Sequence, residues 1–76
     1  IGEYWYSRGK YGKAYRYYLK LAYLFEDSPL IPKALYRAGD SLRRLGRMEE
    51  AKKVWRELLY RFPSSKEAKE IRSIER

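Results

Sequence analysis

The sequence predicts an all-α fold of antiparallel helix hairpins stacked into a solenoid, and three observations carry that prediction. The run Gly39, Gly46, Ala51, Trp55, Phe62, Pro63 recurs, weakened, 37 residues earlier as Gly2, Gly9, Ala14, Tyr18, Phe25, Glu26. Self-similarity at a period of about 20–50 residues marks a repeat array. Apolar residues recur at helical spacing, as in Leu35, Ala38, Leu42 and Leu45, with Gly and Pro between such stretches.

Five helical segments follow in order. Residues 1–8 read as a truncated helix, because the 37-residue offset aligns Ile1 and Gly2 with Ala38 and Gly39, the middle of a later helix. The polypeptide is therefore expected to be a fragment that continues upstream. Gly9 and Lys10 form a turn. Residues 11–25 form a second helix, with Tyr11, Ala14, Tyr15, Tyr18 and Phe25 on a core stripe. Residues 26–31 form a loop whose Asp27, Ser28 and Pro29 supply turn and cap chemistry. Pro32 suits the first turn of a third helix running to about Leu45, since its missing N–H has no helical partner there. Gly46 ends that helix in the left-handed region. Met48–Arg61 is the partner helix, turning Ala51, Trp55, Leu58, Leu59 and Phe62 inward, and Pro63 stops it. Ser64 or Ser65 caps a last helix, helped by Glu67 or Glu70. Its narrow stripe of Ala68, Ile71 and Ile74 fits a terminal helix that screens the array from water.

Ala38, Gly39, Gly46, Ala51, Trp55 and Pro63 stand in the order of a tetratricopeptide repeat, which residues 32–63 resemble. The small residues let paired helices approach closely. Residues 1–31 resemble an incomplete first repeat, with Tyr18 for the Trp and Glu26 for the Pro, and residues 64–76 a C-terminal capping helix. The resemblance implies one domain over 1–76, a right-handed solenoid of the tetratricopeptide type, and a non-enzymatic protein–protein interaction module acting as adaptor or assembly scaffold. The unit ends Phe-Pro-Ser-Ser and Phe-Glu-Asp-Ser-Pro-Leu, the latter followed by Ile31, Pro32 and Lys-Ala-Leu-Tyr-Arg-Ala-Gly, are similar to repeats of the Tol–Pal coordinator protein and of bacterial outer-membrane assembly lipoproteins. That likeness favours the periplasm or bacterial envelope over the cytoplasm.

Composition narrows the chemistry. The 76 residues contain no Cys and no His, which argues against thiol catalysis, imidazole bases and zinc sites, and no cofactor is expected. Asn, Gln and Thr are absent while charged residues reach 37%, a habit of thermophile proteins.

Once the core stripe of the third helix is assigned, Lys33, Tyr36, Arg37, Asp40 and Arg44 remain on its opposite face, with Arg43 at the edge. In the repeat class this resembles, that face lines a concave groove. Glu3, Tyr6 and Ser7 are the counterparts on the first helix, 37 residues before Asp40, Arg43 and Arg44. Guanidinium groups grip carboxylates by two prongs and Tyr adds contact area at small entropic cost, so an extended acidic peptide is the expected partner. Lys33 and Arg37 match part of the two-carboxylate clamp of chaperone-binding tetratricopeptide domains, whose Asn partners this chain lacks. Leu19 and Leu24 stand where the second unit has Arg56 and Arg61, and are expected to be covered by an upstream repeat or a second copy in a homo-oligomer. The rival reading is nucleic-acid or anionic-membrane binding through the net charge of +8. Against it, the excess is spread along the chain, +4 over residues 1–25, +1 over 26–46, +2 over 47–63 and +1 over 64–76.

Overall fold

The computed structural model describes residues 2–25 and 28–74. They form five helices: α1 Gly2–Ser7, α2 Tyr11–Leu24, α3 Ile31–Arg44, α4 Met48–Arg61 and α5 Lys66–Ile74. The all-α expectation holds, with no strand among the described residues. Ile1, Glu26 and Asp27 lie outside them, as do Glu75 and Arg76.

The internal repeat is visible first in the turns. The Arg47 amide donates to the Leu42 carbonyl at 2.9 Å and the Gly46 amide to that of Arg43 at 3.0 Å. Thirty-seven residues earlier, the Lys10 amide donates to the Trp5 carbonyl at 2.8 Å and the Gly9 amide to that of Tyr6 at 3.1 Å. Both are Schellman closures, which need a left-handed residue just past the helix, and Gly9 and Gly46 sit at φ 77° and 83°. Ser65 rather than Ser64 caps α5: its Oγ accepts from the Ala68 amide at 3.0 Å.

The core runs between the hairpins, with α3 at its centre against α2, α4 and α5. Ala14, Tyr18 and Ala22 from α2 meet Ile31, Ala34, Leu35 and Ala38 from α3, then Trp55, Leu58, Ala68 and Ile71. Burying each large aliphatic side chain stabilises by about 1.5–3 kcal/mol. At Gly39, α3 and α4 meet with no room for a side chain. A Cβ there would run into the Trp55 indole, whose Nε1 donates to the Tyr36 carbonyl at 3.1 Å.

Several expected core positions are open. Leu45, at the C-cap of α3, is exposed because the chain turns away at Gly46, and Ile74 is exposed at the end of α5. Phe25, the C-cap of α2, is 54% exposed, whereas its counterpart Phe62 packs against the core. Ala14 and Tyr18 of the α2 stripe are buried in one cluster with Ile31, Ala34, Leu35 and Ala38 of α3, and Trp5 and Tyr6 of α1 pack against that cluster.

Candidate partner-binding groove

Lys33, Tyr36, Arg37, Asp40, Arg43 and Arg44 recur along α3 at offsets of 3 and 4, so they share one face. The structure brings that face between α1 and α5. On the α1 side, Glu3 Oε1 accepts from Lys33 Nζ at 3.3 Å and from Arg37 Nη1 at 3.1 Å. Arg37 also donates to the Tyr18 hydroxyl at 3.2 Å. The two cations that resemble half of a carboxylate clamp thus converge on a carboxylate of the same chain. Their bonds and charges hold the Glu3 carboxyl below its ordinary value.

Asp40 is the organising centre. It is only 3% exposed, and its carboxylate accepts from the Tyr6 hydroxyl, from Arg43 Nη2 at 2.8 Å and from Arg44 Nε at 2.9 Å. Burial alone would raise its pKa; the three donors outweigh burial and hold it below the ordinary value. Burial, then the bond to Asp40, push the Tyr6 phenol up to about 12. The sequence placed Asp40 among residues presented to a partner. Instead, its carboxylate is buried and held by Tyr6, Arg43 and Arg44, since a buried carboxylate is stable only where donors satisfy it.

The aromatics add a second tier. Tyr36 stacks on Trp55 with ring centroids 5.8 Å apart, and the Arg43 guanidinium lies 5.4 Å from the Trp55 ring centre. Arg44 lies 5.5 Å from the Tyr11 ring centre and 5.9 Å from that of Tyr6, and Arg37 lies 5.4 Å from the latter. Such pairs restrain long side chains that would otherwise lose entropy on binding.

On the far side the groove is a cleft of about 310 Å³ lined by Lys33, Tyr36, Arg37, Lys66, Glu67 and Glu70. The last three come from α5, and the sequence reading, which treated α5 as a cap, missed them. The repeat held the signal: α5 follows α4 as α3 follows α2, so its inner face lines the same groove. None of these three forms an ion pair among the described residues. The pair expected at a self-association surface is divided, since Leu19 packs against the core while Leu24 is 63% exposed. No group of His, Cys, Asp or Glu among the described residues could hold a metal ion, and no helix there is long and apolar enough to cross a membrane.

Comparison with curated proteins gives no match, and comparison with solved structures gives none either. A family model, that of the tetratricopeptide repeat, matches residues 33–65. Members of that family are in general protein–protein interaction domains rather than enzymes. The matched segment holds the Gly39–Trp55 contact, the Gly46 turn and the Ser65 cap, and over residues 33–65 the chain is similar to a tetratricopeptide repeat.

Proposed function

We propose that the chain is an adaptor or assembly scaffold that binds an extended peptide or partner helix along the face made by α1, α3 and α5. The cleft between α3 and α5 carries the reading. It joins an aromatic platform, Tyr36 over Trp55, to Lys33, Arg37 and Lys66 on its rim, with Glu67 and Glu70 opposite. Acidic side chains of the partner lie along α3, and basic or polar ones turn toward the two glutamates. The likeness of the unit ends to envelope proteins supports the bacterial envelope as the setting.

Trp55 reports on the site from beneath Tyr36. In a Trp5→Phe background, titration with an acidic 10-residue peptide should shift Trp55 emission and saturate. Lys33→Glu with Lys66→Glu should weaken binding about tenfold or more, with helicity unchanged. A tight complex with single-stranded oligonucleotide, weakening with salt in proportion to phosphate contacts, together with no response to peptide, would move the assignment to nucleic acid.

A further inference from the structure

The cations of the α3 face have two kinds of counter-ion. Asp40 is enclosed: its side chain is 4% exposed, and Tyr6, Arg43 and Arg44 all donate to it. Glu3 is open. Its side chain is 66% exposed, it comes from another helix, and one oxygen, Oε1, receives both Lys33 Nζ and Arg37 Nη1. Arg37 grips it by a single prong, because that same Nη1 also donates to the Tyr18 hydroxyl. A guanidinium holds a carboxylate best through two parallel N–H···O bonds, and exposed ion pairs contribute little. Asp40 cannot leave its donors without stranding buried charge, whereas Glu3 can, since water already reaches its carboxylate.

We propose that Glu3 is a resident competitor: it fills a carboxylate site made by Lys33 and Arg37, and a carboxylate of the bound partner takes its place. This exchange rests on the acidic-peptide reading of the groove, and adds to it where one partner carboxylate seats and which group it displaces. Lys33 and Arg37 border Glu3 on one side and line the cleft between α3 and α5 on the other, so a carboxylate lying in that cleft meets the same two cations. Tyr18 is buried, and its bond to Arg37 keeps the guanidinium in position while the carboxylates exchange. Affinity is then set by the difference between the partner's carboxylate and Glu3, not by the attraction of two bare cations. A carboxylate that reaches Arg37 by two prongs wins that exchange. Neutral segments do not displace Glu3, so the competitor sharpens the preference for acidic partners.

In the Trp5→Phe background, Glu3→Gln should tighten binding of the same acidic peptide about three- to tenfold by Trp55 emission, with helicity unchanged. Glu57→Gln, an equal loss of charge at the Arg61 ion pair of α4, should leave affinity as it is. Adding Lys33→Ala should shrink the gain from Glu3→Gln, which long-range repulsion by Glu3 would not do. In the chain with Glu3 intact, saturation with the peptide at neutral pH should shift the NMR signal of the Glu3 carboxyl carbon and leave that of Asp40 in place. If that chain binds the peptide and Glu3→Gln binds it no more tightly, the exchange is overturned and the groove reading stands. Absence of saturable binding by either chain overturns both.

Discussion

The two helix hairpins share both Schellman closures and yet differ in almost every side chain around those turns. Lys10 to Trp5 and Arg47 to Leu42 are the same backbone closure, and the Phe25 and Phe62 amides donate to the Leu21 and Leu58 carbonyls at 3.2 and 2.8 Å. Around these bonds the second unit carries Trp55 over Gly39, a packed Phe62 and a buried Leu58; the first carries Tyr18, an exposed Phe25 and a half-buried Leu21. A turn closed by its own backbone survives divergence of its neighbours. Side-chain burial does not, because it depends on what the next element covers.

Trp55 is the sharpest test of that difference. Trp55→Ala empties the site over Gly39 and releases the Tyr36 carbonyl, with an expected loss of about 3–5 kcal/mol. In a domain this small that approaches the whole net stability, so the variant should be largely unfolded at room temperature by circular dichroism. A Trp55→Ala chain with an unchanged urea midpoint would break the claim that α3 and α4 meet there.

The turns should respond alike where the core does not. Gly9→Ala and Gly46→Ala each place a Cβ in the left-handed region with no neighbour nearby, so each should cost about 1–2 kcal/mol and by similar amounts. Unequal losses in urea denaturation would show that one turn is held by more than its own backbone.

The smallest effect belongs to the Tyr6–Asp40 contact, which ties the first unit to the second. Asp40 has a depressed pKa, so its contribution is present above the ordinary carboxyl value of 3.8 and is lost as pH falls through the lower folded value. Tyr6 has a raised pKa, so its contribution is present below the ordinary 10.0 and is lost as pH rises through about 12. Tyr6→Phe should cost about 1 kcal/mol at neutral pH after discounting for solvent. The gap to the parent chain should close between the ordinary and the raised value. A gap that persists above it would mean that the phenol acts through packing alone.

Much of this was legible in advance. The offset that pairs Gly9 with Gly46 and Ala14 with Ala51 foretold the hairpins, and the helical spacing of Lys33, Tyr36, Arg37 and Arg44 foretold that they share a face. The fate of Asp40 was not legible, since it shares that spacing, and only the Tyr6 hydroxyl arriving from another helix draws it inward. Nor was the separation of Leu19 from Leu24, which turns on how far α3 overlaps α2, nor the part played by α5, whose polar stripe reads equally as cap or groove wall.

By itself the sequence determined what is local: helix periodicity, left-handed glycines, serine and proline at the helix ends, and a repeat whose unit cannot bury its own stripe. Those follow from backbone sterics and the nearest few residues, and they hold wherever the segment sits. Tertiary structure alone decided which carboxylate is buried, which tyrosine holds it, and that Leu19 packs against the core while Leu24 does not. Burial is a property of the assembled neighbours, and a carboxylate or a leucine at a given helical position carries no mark of what will cover it.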